Sequence, residues 1–281
     1  MLNPKRLIKR IKQKLYWSHR LYTSNTRSLP NLIIIGAQKA GTTSLFYYLS
    51  QHPQLVPSIR KEVHYFDGGL DPTSDDFLRG EKWYRAHFPR TKEIKSSDVV
   101  FEATPSYLYH PEVPNRIHNL IPSVKMIALL RNPTERAISQ YFHEKRKNQE
   151  NLPIMDALLA EEDRLKLILE RKNYKDSAFF RFSYKLRGHY YEQLNRFFNY
   201  FEQNQLLILS SEYFFQNTGK ALEQISHFLG IDMNLTPYDL EPKHVSKNKV
   251  EVDREVYQYL NDHFKPYNEK LYDLIGVDFG W

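Results

Sequence analysis

With 281 residues, 41% of them hydrophobic and 14% aromatic, the chain can bury the core of one large α/β domain or two small ones. It has no cysteine, which excludes disulfides, thiolate zinc sites and a cysteine nucleophile, and no apolar run of about 18 residues that would make a membrane span. The net charge of +7 is uneven: residues 1–28 hold eight of the 40 Lys and Arg and no acid, leaving 32 bases against 33 acids, so nucleic-acid binding by the body of the protein is not indicated.

No apolar core of a secretory signal stands near the N-terminus, and the expectation is a cytoplasmic enzyme of bacterial type. In the first 22 residues Leu7, Ile11 and Leu15 recur at i, i+4 and i+8 among lysines and arginines. That spacing predicts a basic amphipathic helix suited to peripheral membrane contact or to a partner; a helix docked on the domain and a frayed end are the alternatives. Residues 1–28 thus form a basic tail, and residues 29–281 are expected to be one domain.

Leu32-Ile33-Ile34-Ile35 reads as a buried parallel strand. Gly36 and Gly41 bracket a tight loop after it, and Thr42-Thr43-Ser44 open a segment with helical spacing. Strand, glycine loop and helix make a phosphate cradle, because N–H groups at a helix start point at an anion and the helix dipole favours it. The Walker pattern G-x-x-x-x-G-K-[ST] is met only in its glycines: Thr42 follows Gly41, and the lysine lies inside the loop at Lys39. A lysine there suits a group on a diphosphate-like chain shorter than a triphosphate. An ordinary βα turn with a solvated lysine is the plain alternative.

After a proline-broken stretch, Lys61 to Asp67 (KEVHYFD) is a compact polar–aromatic knot. Glu62 and His64, two positions apart in an extended segment, would point to one side, as a general base and its orienting partner do. On periodicity alone, solvated loop charges are the commoner outcome. Residues 81–88 predict a turn or two of helix with Trp83, Tyr84 and Phe88 inward, and residues 99–103 a second strand running into Thr104-Pro105-Ser106-Tyr107. Residues 124–130 form the third strand and lead directly into Arg131-Asn132-Pro133. Asn132 suits an N-cap, Pro133 the first helical position and Glu135 the far end of a capping box. Arg131 would then stand at a strand end beside a helix start, ready for a two-pronged grip on phosphate. Residues 151–187 read as a helical insertion, mostly helix over 154–171, that would shape an acceptor cleft. An amphipathic helix over 188–200, a strand over 206–209, a helix over 218–229 closed by Gly230 and a basic loop over 243–249 follow. Strand–helix alternation with phosphate-type motifs at two strand ends predicts an α/β fold, a doubly wound parallel sheet with helices on both faces.

G-x-x-K-x-G-T-[ST] after a strand resembles the 5′-phosphosulfate loop of sulfotransferases that use 3′-phosphoadenosine 5′-phosphosulfate (PAPS). R-[DN]-P-x-x-R-A-x-S-x-Y at residues 131–141 resembles their 3′-phosphate motif, and K-E-V-H-Y-F-D looks like the segment carrying the catalytic glutamate in heparan-sulfate-type members. The resemblance runs from about Asn31 to the aromatic ending Phe279-Gly280-Trp281. It implies a P-loop-like site for PAPS, release of adenosine 3′,5′-bisphosphate, no metal, and an acceptor hydroxyl or amine on a glycan or small molecule. Lys39 would neutralise the leaving phosphate within a loop completed by Ala40, Gly41, Thr42, Thr43 and Ser44. Arg131 and Ser139 would hold the 3′-phosphate, and Glu62 would be the base, with His64 as its catalytic neighbour. His64, Asp67 and Tyr107 would surround the acceptor. Lys247, Asn248 and Lys249 stand where glycosaminoglycan sulfotransferases have an S-K-G-R type loop over the donor, with Asn for Gly and Lys for Arg. Ala103 replaces a lysine frequent in that family, which weakens the case for a heparan-like polyanion. Two rivals are a P-loop kinase, which should carry its lysine directly after Gly41, and a non-catalytic sulfated-glycan-binding module, which would not need Glu62.

Overall fold

The computed structural model describes residues 4–232, 238–243 and 251–281. Among them five strands form one parallel sheet: β1 (Leu32–Gly36), β2 (Leu55–Pro57), β3 (Val99–Ala103), β4 (Lys125–Leu130) and β5 (Leu206–Ser210), in the order β2-β3-β1-β4-β5. Every residue of β1 and β3 is buried, the pattern of strands covered on both faces. The register sets Leu32 beside both Phe101 and Lys125, and Ile34 beside both Ala103 and Ile127, so β1, β3 and β4 end close together. The chain leaves β1 towards β2 and β3 and then returns to its other side as β4. The crevice between the carboxyl ends of β1 and β4 is therefore the switch point where ligands bind in such sheets.

The apolar pattern does not predict β2. It has three residues, lies next to Pro53 and ends in Pro57, and it pairs only with β3. An edge strand tolerates proline because one side of its ladder has no partner to receive an N–H.

The helices are α1 (Pro4–Tyr22), α2 (Thr42–Leu49), α3 (Gly80–Arg85), α4 (Val113–Leu120), α5 (Pro133–Arg146), α6 (Ile154–Leu159), α7 (Glu161–Glu170), α8 (Ser177–Arg181), α9 (Tyr190–Phe198), α10 (Ser211–Gln216), α11 (Thr218–Leu229) and α12 (Arg254–Ile275). The main core joins the sheet to α2, α9 and α11. A second cluster seats Ala137, Ile138 and Tyr141 of α5 on Leu158 of α6 and on Leu260 and Phe264 of α12. The insertion is helical as expected and adds a small core of its own, with Leu165, Ile168 and Phe179 around Tyr109. No helix among the described residues is long and apolar enough to cross a membrane.

The start of α5 corrects one expectation. The Asn132 side chain does cap, accepting from the N–H of Thr134 (3.0 Å) and of Glu135 (3.3 Å). Glu135, however, does not close a capping box. The Asn132 N–H that it would bind donates instead to Glu212 at 3.0 Å, and the Glu135 carboxylate turns to Arg131 at 3.2 Å.

Candidate active site

The loop between β1 and α2 is a closed, left-turning structure. Lys39 (φ +72°) and Gly41 (φ +96°) both take the left-handed conformation, and a Cβ on Gly41 would stand 2.6 Å from the Phe215 ring. Only glycine meets both demands, of space and of backbone, at that position. The N–H of Leu45 is bonded to the carbonyl of Gly41, so the N–H groups of Thr42, Thr43 and Ser44 before it are free of helical partners. The Ser44 hydroxyl, counted above as a donor-site group, accepts from the N–H of Lys243 at 2.9 Å and is fully buried. It ties α2 to a distant segment; of the remaining loop residues Lys39, Gly41 and Thr43 are half-buried, while Ala40 and Thr42 are buried.

Arg131, at the end of β4, donates to the carbonyl of Lys39 at 3.2 Å. The two phosphate-type motifs, 92 residues apart, thus touch at the switch point. Ser139 is half-buried two turns into α5. Further along that helix Arg146 and the adjoining Lys147 press on Lys39. Burial first, then Arg146, Arg131 and Lys147, push the Lys39 ammonium down from 10.5 to about 8. Glu144 is too weak an opposing influence to restore it. The loop is therefore a concentration of positive charge.

Glu62 and His64 sit at the carboxyl end of β3, where the Glu62 N–H bonds the Ala103 carbonyl at 2.9 Å. The segment is not extended: Glu62 (φ +62°) and His64 (φ +56°) are both left-handed, with the buried Val63 between them. Such a conformation costs on the order of 1 kcal/mol for each non-glycine residue, and it clusters at functional sites. The two side chains still meet, with Glu62 Oε2 3.5 Å from His64 Nε2. Lys61 pairs with the other Glu62 oxygen. Behind them His64 Nδ1 lies 2.7 Å from Asp67 Oδ2, and the Ser106 hydroxyl donates to that same carboxylate.

The electrostatics follow from this chain of contacts. Burial alone would neutralise His64, but Asp67 and then Glu62 override it and hold the imidazolium up to about 9. Against burial, the adjacent His64 imidazolium and the Lys61 charge hold Glu62 down to about 2. Asp67, fully buried, is likewise held at about 2 by His64 and Ser106. At neutral pH the array is carboxylate–imidazolium–carboxylate. His143 on α5 is pushed down to about 4, first by burial and then by Lys39, with Glu62 opposing, so both the loop lysine and the carboxylate lie within electrostatic reach of one side chain.

Two of the acceptor-site expectations need correction. Tyr107 is fully buried, and its hydroxyl accepts from the N–H of Tyr65 (2.9 Å) and donates to Glu102 (3.2 Å). It braces the knot from behind and presents nothing to a cleft. Asp67 has no exposed surface either, and its carboxylate is committed to His64, Ser106 and the N–H of Gly69. It positions His64. Lys247, Asn248 and Lys249 lie outside the described residues.

Other groups come to the site without a motif to announce them. Lys61 and Ser106 belong to segments read for their neighbours. Arg187, buried in the turn before α9, donates to Gln38 of the loop at 2.9 Å, and Lys175 of the insertion bonds the carbonyls of Gly68 and Gly69 at 2.7 and 2.6 Å. The insertion thus packs on the turn that follows Asp67.

Comparison with known proteins agrees with this geometry. The family described as "Sulfotransferase domain" matches residues 29–263. Human heparan sulfate glucosamine 3-O-sulfotransferase 3B1 is 30% identical over 280 residues, covering 92% of this chain and 66% of that protein. The Dictyostelium discoideum membrane-associated sulfotransferase kil1 is 26% identical, covering 90% of this chain and again 66% of its own length. The chain therefore spans about two thirds of these relatives. A solved sulfotransferase from Alicyclobacillus acidocaldarius superposes with a TM-score of 0.73 at 28% identity, covering 90% of this chain and 98% of that one. With a match over most of its length, and the loop, strand ends and carboxylate described above, the chain belongs to the sulfotransferase domain family.

Proposed function

We propose that the chain moves a sulfuryl group from PAPS to a hydroxyl or amine of a glycan or other carbohydrate-containing acceptor. The observation that carries this reading is the ionised Glu62, anchored through His64 to Asp67, at the strand ends that also hold the cationic loop. The 3-O-sulfotransferase relatives, whose names specify heparan sulfate glucosamine, support a sugar acceptor.

The residues fit such a donor. Lys39 is surrounded by cations whose repulsion a phosphate would relieve, and Arg131 offers a guanidinium beside the loop. When bound, PAPS supplies an activated sulfuryl group on a nucleotide leaving group. Lys39, with the free N–H groups of α2, would stabilise negative charge on a departing phosphate oxygen. Arg131 and Ser139 would hold the 3′-phosphate and so fix the register of the nucleotide. Glu62 accepts the proton of the acceptor hydroxyl as that oxygen bonds to sulfur. Held near 2, it is a weak base in the ligand-free site, and an anionic donor beside it raises its proton affinity when that is needed. His64, already protonated, orients Glu62 and does not compete for the proton. The insertion, seated against Gly68 and Gly69, would border the acceptor.

Glu62→Gln tests the reading. Donor affinity, measured by titration calorimetry, should be nearly unchanged, while sulfate transfer from labelled PAPS falls by about two to four powers of ten. Full activity of the variant on an acceptor that the wild type uses would remove Glu62 from the reaction. A thermal shift with ATP–magnesium but none with adenosine 3′,5′-bisphosphate would favour a kinase instead.

A further inference from the structure

Helix α1 is neither frayed nor laid flat on the domain. Its C-terminal end is clamped: Arg20 donates to the carbonyls of Ala86 (2.5 Å) and Phe88 (2.6 Å), and Trp17 packs against the rings of Trp83 and His87. All nine residues from Ile8 to Tyr16 are exposed. At about 1.5 Å per residue, that stretch carries the helix more than about 10 Å beyond its clamp.

The two faces of the helix divide the work. At about 100° per residue, Trp17, Arg20 and Leu21 centre on one side, and Ile8, Ile11, Leu15 and Tyr22 fall within about 60° of one another on the opposite side. The clamp therefore turns the apolar stripe away from the protein. Its members are 54%, 48%, 66% and 90% exposed; Lys12 and Lys14 border it, and Lys9 and Arg10 lie further round the helix. No acid offsets this charge, since the first acidic residue in the chain is Glu62.

We propose that α1 is a docking helix for an anionic lipid bilayer, lying in the headgroup region with Ile8, Ile11, Leu15 and Tyr22 in the acyl boundary. An apolar stripe bordered by lysines and lacking acids matches a surface that is negative outside and apolar just beneath. The rigid clamp at Trp17 and Arg20 would then hold the catalytic body at a fixed attitude to the membrane.

Flotation of the full chain with vesicles tests this independently of catalysis. The wild type should float with phosphatidylcholine–phosphatidylserine vesicles at low salt, lose most of that binding at high salt, and ignore pure phosphatidylcholine. Leu15→Asp should cut the partition coefficient at least tenfold and Lys12→Glu about fivefold or more, with circular dichroism and transfer to a soluble acceptor unchanged. Failure of the wild type to float at low salt, equal binding to neutral vesicles, or full binding by Leu15→Asp would each overturn the proposal. So would a concentration-dependent dimer, seen by sedimentation and abolished by Leu15→Asp, in a protein that does not float: the stripe would then belong to a second copy of the chain.

Discussion

Lys39→Met should make the ligand-free protein more stable while destroying its response to nucleotide. The ammonium is held at about 8 against 10.5 in a free chain, which corresponds to about 3 kcal/mol against the charged form in the folded state. Solvent and salt at the loop surface reduce this to about 1–3 kcal/mol. At neutral pH the lysine is charged in both folded and unfolded chains, so the penalty is fully present there. It fades as pH rises from about 8 towards 10.5, where the folded protein gives up its proton first. Methionine keeps the methylenes and removes the charge. Scanning calorimetry at pH 7 without ligand should show a Tm several degrees above wild type, and the gap should narrow by pH 10. Adenosine 3′,5′-bisphosphate should raise the wild-type Tm strongly at pH 7 and the variant's little. A variant that melts below wild type at pH 7, or that keeps the full ligand shift, would refute the idea that burial and neighbouring cations disfavour the Lys39 charge until an anion relieves it.

Arg131→Ala should weaken binding of adenosine 3′,5′-bisphosphate far more than binding of 5′-AMP, as paired calorimetric titrations would show; equal losses would give Arg131 another role. In Asp67→Asn the support that keeps His64 protonated is lost. Nitrogen chemical shifts should then report an imidazolium at pH 8 in wild type and a neutral ring in the variant. The pair's contribution to stability is fully present between the two ordinary values, 3.8 and 6.5. It is lost as pH rises from 6.5 through about 9, where His64 deprotonates, and as pH falls from 3.8 through about 2, where Asp67 is protonated. A histidine that stays charged at pH 8 without Asp67 would show that Glu62 alone sustains it.

Four of the five strands and the loop were legible because their causes are local. Leu32 to Ile35 reads as a buried strand, Gly41 as a tight turn and Asn132-Pro133 as a helix start, each from a few neighbouring residues. What escaped depends on partners far along the chain. Tyr107 looks like a cleft residue until Tyr65, Phe66 and Glu102 consume its hydroxyl. Glu135 looks like a capping partner until Glu212, 80 residues from Asn132, takes the N–H it would bind. Glu62 and His64 were placed on one side for the wrong reason, since two left-handed residues, rather than a strand, aim them together. Arg187 carries no pattern, because its value lies in reaching Gln38 across 149 positions.

The same long reach decides when the site can exist during synthesis. The Lys39 carbonyl waits for Arg131, the Arg131 carbonyl is steadied by Tyr190, and the Asn132 N–H waits for Glu212. A nascent chain that has emerged through β1, its loop and β4 therefore holds Lys39 and the loop around it, yet lacks the braces that fix them. Pairing β1 with both β3 and β4 closes large loops before any of these contacts form, a costly and slow order of events. The braces of the strand-end loops are therefore complete only after α10 has left the ribosome, once every strand of the sheet has been made.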